Sequence, residues 1–410
     1  MSLPHVAILL ADLNAGGVQH MARHLAAGLG ARGARVTFLV CEPGGRLEED
    51  LPQGATLRHL PSAGLAGRLA AFRAAPSLWR AMLHPFLLSP RRSRTVPRLP
   101  ALAGFLRSER PDALFTATPF LNVEALLANR LAGGATRVVL SERTHFSSGK
   151  AKKRWRLRRL APLMGAVYPW AHAVVAVSKG VADDVARSTG LDRDRLTVLH
   201  NPVLLPGFTE RAAERADHPW FAKGGPPVVL AIGRPTRQKD FDTLVRAFAM
   251  LRARRPARLV VIGESATSGG GGGGAAALLT LAGRLGVAGD VALLGYKANP
   301  LPYLRRAALF ALSSRYEGFG NVLVEALACG TPIVSTDCPS GPAEILEGGR
   351  YGRLVPVGDA GALAAAMALT LDAPPDPATL RERAAHFGYE RSMAGYARLL
   401  LPDEAGLDAA

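Results

Sequence analysis

Between positions 309 and 346 the chain reads LFALSSRYEGFGNVLVEALACGTPIVSTDCPSGPAEIL. An apolar run, Leu309 to Leu312, has the length and character of a buried strand. A polar turn follows, and a helix opens near Asn321 with Val322, Leu323, Ala326 and Leu327 at helical spacing. Gly330 and Pro332 stop that helix, and Ile333-Val334-Ser335 begins a second apolar run. Two strands joined through a helix cannot pair as a hairpin. They must lie parallel, and a parallel sheet needs cover on both faces. The stretch therefore commits the chain to an α/β layered architecture.

The loop inside this unit carries chemistry. Gly318 and Gly320 lack a Cβ, so a ligand can approach the backbone there. The helix start at Asn321 presents unpaired N–H groups and the positive end of a dipole, which attract a diphosphate. Glu317 and Glu325 flank that start. Carboxylates beside an anion site repel the anion, but they are strong acceptors for the paired hydroxyls of a sugar or ribose. The bland alternative is a glycine turn before a helix with acidic residues near its start.

The rest of the chain repeats the strand–turn–helix pattern. HVAILLA at 5–11 reads as a first buried strand, and Gly16-Gly17 follows it before a helix carrying Met21, Leu25 and Leu29. This opening has the form of a doubly wound fold but lacks GxGxxG, so no dinucleotide fingerprint is present. Further strands are expected at 34–41, within 111–118, and at 136–141 and 173–178. In the second half PPVVLAIGR ends at Gly233-Arg234, with Lys239 in the turn before the next helix, and RLVVIG and VALLG are later strands. An always-charged guanidinium and a point-charge ammonium can neutralise a diphosphate without metal. The six glycines Gly269–Gly274 lack the GK[ST] of a phosphate loop and read as a flexible loop. Asp192-Arg193-Asp194 and Asp240-Phe241-Asp242 are discounted as metal sites, the second because Asp at a helix start is a good cap. No HxH or CxxC spacing implies a metal.

Glu317 and Glu325, on either side of GFGNVLV, resemble the E-x7-E signature of family-four retaining glycosyltransferases, and the surrounding stretch through Leu346 is similar to that family almost residue for residue. Arg234 and Lys239 match the arginine and lysine, five apart, with which the family grips a donor diphosphate. The resemblance implies an α/β fold of GT-B type, two Rossmann-like doubly wound domains facing across a cleft. Residues 1–205 would bind acceptor, 206–226 would form a linker, 227–385 would bind nucleotide sugar, and 386–410 would return as a helix towards the first domain. It implies transfer of a sugar from a nucleotide diphosphosugar, UDP ahead of GDP, to an acceptor hydroxyl with retained configuration and no metal or other cofactor. In that scheme Glu317 holds donor-sugar hydroxyls and Glu325 the ribose. Gly318, Phe319, Gly320, Asn321, Val322 and Leu323 line the donor at the helix start, and backbone near Tyr296 and Lys297 meets the base. Gly16 and Gly17 let the first domain approach the donor phosphate, and either Arg143 or His145 faces the reacting sugar. The motif is similar to enzymes that build lipid-linked bacterial glycans, so the implied acceptor is polyprenyl-linked or a lipopolysaccharide.

Charge supports an anionic partner. Lys and Arg exceed Asp and Glu by 50 to 33, a net charge of +17. Lys150, Lys152, Lys153, Arg154, Arg156, Arg158 and Arg159 crowd one segment around Trp155. Such a run is either a solvated face or a basic, aromatic-bearing contact with anionic lipid. No nucleic-acid recognition motif accompanies it, so nucleic acid is not an expected partner. Three scattered cysteines fit a reducing compartment. No signal peptide is expected at the start, and Pro162, Pro169 and His172 interrupt the uncharged run 160–177, arguing against a span. The expected location is cytoplasmic, peripheral at the inner face of the cytoplasmic membrane. The competing readings are a two-domain sugar-nucleotide epimerase and a basic nucleic-acid-binding protein.

Overall fold

The run HVAILL forms the strand His5–Leu10 (β1) with every residue buried. A strand covered on both faces carries apolar side chains at all positions, not at alternate ones. The computed structural model describes residues 3–14, 16–87, 95–148, 151–263 and 274–402, leaving aside the side chains of 87 and 151–158. Described residues up to Pro202 and from Glu390 onward form one compact unit, and Val203–Tyr389 form a second.

Among the described residues each unit is built on one parallel sheet. The first contains β1, β2 (Arg35–Val40), β3 (Thr56–His59), β4 (Ala113–Thr116), β5 (Arg137–Glu142), β6 (Ala173–Ala176) and β7 (Leu196–Val198), in the order β3-β2-β1-β4-β5-β6-β7. The second contains β8 (Val228–Ile232), β9 (Arg258–Ile262), β10 (Val291–Leu293), β11 (Leu309–Leu312), β12 (Ile333–Thr336) and β13 (Arg353–Val355), in the order β10-β9-β8-β11-β12-β13. In each, the strands run outward to one side and then restart on the other side of the first strand. The reversal falls between β1 and β4 and again between β8 and β11. At such a switch point the loops at the carboxyl ends diverge and leave a crevice.

Packing follows the helical stripes. The helix Phe241–Arg252 buries Leu244, Val245, Phe248 and Leu251. These join Val229, Leu259, Leu309, Val334 and Met367 in the core of the second unit. In the first unit the helix Pro119–Ala132 is buried along most of its length, and the closing helix Tyr389–Leu400 sets Tyr396 edge-on to Phe115 at 5.9 Å.

Two strands, β3 and β13, have no counterpart in the sequence reading. Both lie at sheet edges and neither is a buried apolar run. An edge strand needs cover on fewer sides, so the apolar signal is absent. The uncharged run 160–177 divides into the end of the helix Ala151–Val167, the turn Tyr168–Trp170 and β6. No helix among the described residues is long and apolar enough to cross a membrane. Of the glycine run only Gly274 is described, and it opens the helix Gly274–Arg284.

The expected cap at Asp240 needs correction. Asp240 does precede the helix Phe241–Arg252, but its backbone is left-handed at φ 50° and its side chain accepts no capping hydrogen bond. Its carboxylate instead takes the Thr243 hydroxyl at 2.9 Å and pairs with Arg315 at 2.9 Å. Asp192 does cap its turn, accepting the Asp194 N–H at 3.1 Å.

The loop before the helix Asn321–Cys329 is pinned by a close backbone approach. Gly341 lies at φ 97°, and a Cβ there would stand 1.7 Å from the Phe319 carbonyl oxygen. Gly341→Ala combines a strained backbone with overpacking and is expected to destabilise the second unit by about 3 kcal/mol. A lowered urea midpoint checks this, and an unchanged midpoint would show that the loop yields freely.

Candidate active site

In the second unit the switch point brings two loops together, one after β8 and one after β11. The first begins at Gly233, where a Cβ would lie 2.9 Å from Lys239 Cε and would displace that side chain. The Lys239 chain thus runs along the bare backbone. Hydrogen bonds then lace the two loops. Arg315 N–H donates to Gln238 O at 2.7 Å, Gln238 Nε2 donates to Tyr316 O at 3.0 Å, and Ser313 Oγ donates to Lys239 O at 2.7 Å. With the backbones fixed, Lys239 Nζ meets Glu317 Oε1 at 2.6 Å. Ser314 Oγ donates to the same oxygen at 2.6 Å. Glu317 is buried and Lys239 nearly so, and both bonds fall on Oε1. Arg234 is exposed at the start of the first loop, with no ion pair among the described residues.

The helix Asn321–Cys329 begins from Gly320. Asn321 is exposed at its first turn, while Val322 and Leu323 are buried, which leaves only their backbone to a ligand. Gly318 is buried within the loop, and the Phe319 ring packs edge-on to Phe387 at 5.6 Å. Glu325 is half-buried, and desolvation pushes its carboxyl up to about 7 against the opposing pull of Arg211. Tyr296 is exposed, and Lys297 is paired with Asp217 at 3.0 Å. Lys239, Glu317 and the helix start therefore come together, while Lys297 is drawn to an acidic partner of its own. Cations and a helix start can hold an anion, and the adjacent carboxylates can accept hydroxyls.

In the first unit Gly16 stands at the cap position of the helix Gly17–Gly30, beyond the end of β1. The two candidates after β5 are both held within the unit. Arg143 donates to Asn201 Oδ1 and, at 3.4 Å, to Ser141 Oγ, and burial lowers its pKa. His145 Nδ1 lies 2.8 Å from Ser148 Oγ and 3.4 Å from Asp184 Oδ2. Desolvation lowers its pKa, with Asp184 opposing. Of the basic segment, Lys150 and the side chains of Lys152, Lys153, Arg154, Trp155, Arg156 and Arg158 lie outside the described residues, and Arg159 is exposed. Among the described residues no three His, Cys, Asp or Glu side chains cluster as a metal site.

Sequence reasoning missed Gln238, Ser313 and Ser314, which read only as polar turn letters. It also missed a buried network behind Arg143. Glu142 Oε1 accepts the Tyr168 hydroxyl and, at 2.8 Å, Asn122 Nδ2, which also donates to Ser141 O at 3.2 Å. Burial pushes Glu142 up to about 7. A second buried acid, Glu124, takes the Thr95 hydroxyl at 2.6 Å and is pushed up to about 8 by desolvation. For Glu142 the one available signal was a carboxylate ending an apolar strand, whereas Glu124 lies inside the helix Pro119–Ala132.

Two family models match the chain, one described as glycosyl transferases group 1 over residues 213–387 and one as Glycosyltransferase Family 4 over residues 15–205. The chain is 32% identical over 236 residues to the N-acetylgalactosamine-N,N'-diacetylbacillosaminyl-diphospho-undecaprenol 4-alpha-N-acetylgalactosaminyltransferase of Campylobacter jejuni, covering 58% of this chain and 60% of that protein. It is 33% identical over 177 residues to the lipopolysaccharide core biosynthesis glycosyltransferase LpsE of Rhizobium meliloti, covering 43% and 48%. The matches thus span less than two thirds of either relative. Among solved structures it is similar to a glycosyltransferase from Rickettsia africae, with TM-score 0.75 and 15% identity over 98% of this chain and 100% of that one. It is also similar to HepE of Anabaena in complex with UDP and glucose, with TM-score 0.72 and 19% identity over 97% and 99%. At such identities the likeness speaks to the fold, which is that of GT-B glycosyltransferases.

Glu142 and Glu124 imply a pH dependence. Their carboxyls keep their protons in the folded chain above the ordinary value of 4.5, whereas the unfolded chain releases them near it. Stability of the first unit is therefore expected to fall as pH rises from about 5 to about 8 and then to level. Glu142→Gln should remove part of that fall in urea midpoints measured across the range; an unaltered slope would show that Glu142 is ionised in the fold.

Proposed function

This chain belongs to the group 1 glycosyltransferases of family 4, and we propose that it moves a sugar from a nucleotide diphosphosugar, UDP ahead of GDP, to a hydroxyl of a lipid-linked or cell-envelope glycan. The observation that carries this reading is the Lys239–Glu317 contact beside the helix start at Asn321. The donor diphosphate would lie against Lys239, Arg234 and the first N–H groups of that helix. As the bond from the anomeric carbon to the β-phosphate oxygen breaks, negative charge grows on the departing diphosphate, and these groups absorb it without a metal. The acceptor oxygen bonds to the anomeric carbon on the same face, and its proton passes to the departing phosphate oxygen, so configuration is retained.

In this reading Glu317 positions sugar hydroxyls and is not a nucleophile. Its bonds to Lys239 and Ser314 fix the carboxylate before substrate arrives, which spares reorganisation during reaction. Glu325 takes the ribose hydroxyls, and backbone near Tyr296 and Lys297 meets the base. The acceptor class is supported by the two curated relatives, whose names carry a diphospho-undecaprenol substrate and the lipopolysaccharide core. A peripheral position on the inner face of the cytoplasmic membrane is supported by the basic segment 150–159.

Lys239→Ala and Glu317→Ala are each expected to lower kcat by about 10²-fold or more with the circular dichroism spectrum unchanged. Lys239→Ala should also weaken UDP or GDP binding by calorimetry. Turnover like that of the unaltered chain in either variant would remove that residue from the mechanism. An epimerised nucleotide sugar formed without acceptor would replace transfer with isomerisation.

A further inference from the structure

Acidic side chains are absent from two long stretches of the first unit, 51–108 and 143–182, and each stretch holds nine Lys or Arg. Together they carry more positive charge than the +17 net charge of the whole chain. The two stretches also meet in the fold. The short helix Trp79–Met82 and the helical turn Leu83–Leu87 pack against the helix Ala151–Val167.

The first stretch exposes apolar side chains as well. The helix Gly64–Ala74 buries Gly67, Ala71 and Ala74, yet Leu65 is 65% exposed and Leu69 46%. Arg73, exposed, continues that line at the same four-residue spacing. Beyond the turn Pro76–Leu78, Trp79 is 48% exposed, and the Arg80 guanidinium stands over its ring at 5.3 Å. A helix that is apolar on both sides, with only arginines as charges, is poorly matched to water. It is poorly matched to nucleic acid too, which offers phosphate to arginine but no apolar phase to leucine. The combination fits the boundary of an anionic bilayer: leucines reach the acyl region, the indole sits at headgroup level, and arginines meet lipid phosphate.

We propose that Leu65, Leu69, Arg73, Trp79 and Arg80 form an anionic-lipid docking face that seats the first unit on a bilayer. This extends the peripheral position read above to a second contact, separate from the 150–159 segment. It is tested in the full chain with Trp155→Phe, Trp170→Phe and Trp220→Phe, which leaves Trp79 as the fluorophore. On vesicles of phosphatidylcholine mixed with phosphatidylglycerol, Trp79 emission should shift to the blue and be quenched by brominated acyl chains; phosphatidylcholine alone should give neither effect. In the otherwise unaltered chain, Leu65→Ser with Leu69→Ser and Trp79→Ala should weaken partition about tenfold and leave transfer to a soluble acceptor unchanged. Protein that pellets with the vesicles while Trp79 emission stays fixed would overturn the docking face and leave the basic segment as the membrane contact. No pelleting at all would overturn both. A Trp79 shift with heparin but not with vesicles would assign the face to a soluble polyanion.

Discussion

A lysine ammonium and a glutamate carboxylate, 78 residues apart in the chain, meet at 2.6 Å in the second unit. Withdrawing two charges from water is costly, and their attraction offsets that cost only when geometry is good and further hydrogen bonds complete the shell. The strand order supplies the geometry. Because β8 and β11 are neighbours across the reversal, the loops that follow them leave the sheet side by side. Ser313 and Gln238 tie those loops through backbone groups, and Ser314 completes the shell of Glu317. The proposed site inherits a constraint from this pair. A diphosphate entering beside Glu317 meets repulsion as well as the pull of Lys239, so one cation is not enough. In the proposed reading Arg234 and the helix start would supply the remaining attraction.

The sheet centres were legible because burial on both faces writes continuous apolar runs into the chain. His5–Leu10, Leu309–Leu312 and Ile333–Thr336 could be read directly. The edge strands Thr56–His59 and Arg353–Val355 could not, since half-exposed strands obey no such rule. Within the site, Glu317, Lys239 and the helix start at Asn321 were legible as spacings around glycine turns. Their lacing was not, because the partners of Gln238 and Ser314 depend on which loops become neighbours. Asp240 shows the limit from the other side: its letter promised a cap, and its left-handed backbone gave the carboxylate to Thr243 and Arg315 instead.

The first unit keeps its charges differently. Arg143 and His145 are each engaged by side chains of their own unit, His145 through Nδ1. Glu142 and Glu124 are buried and accept from hydroxyl and amide donors, and Arg98 and Arg68 oppose the desolvation of Glu124. Glu142 evades sequence reading, as a carboxyl at the end of an apolar strand is spelled the same whether it faces water or the core. Protonation is the less costly way to keep both acids buried.

The closing helix Tyr389–Leu400 is joined to the first unit through distant partners: Glu390 reaches Arg32 at 2.7 Å, and Ser392 donates to Asn201 O at 3.3 Å. The whole of the second unit is thus spliced into the first between positions 202 and 390. On the ribosome, the earlier unit emerges without its last element and waits through the synthesis of its guest. Throughout that interval the apolar surface destined for Met393, Tyr396 and Leu400 stays uncovered on the nascent chain, which makes this patch the natural point for chaperone capture or for premature association.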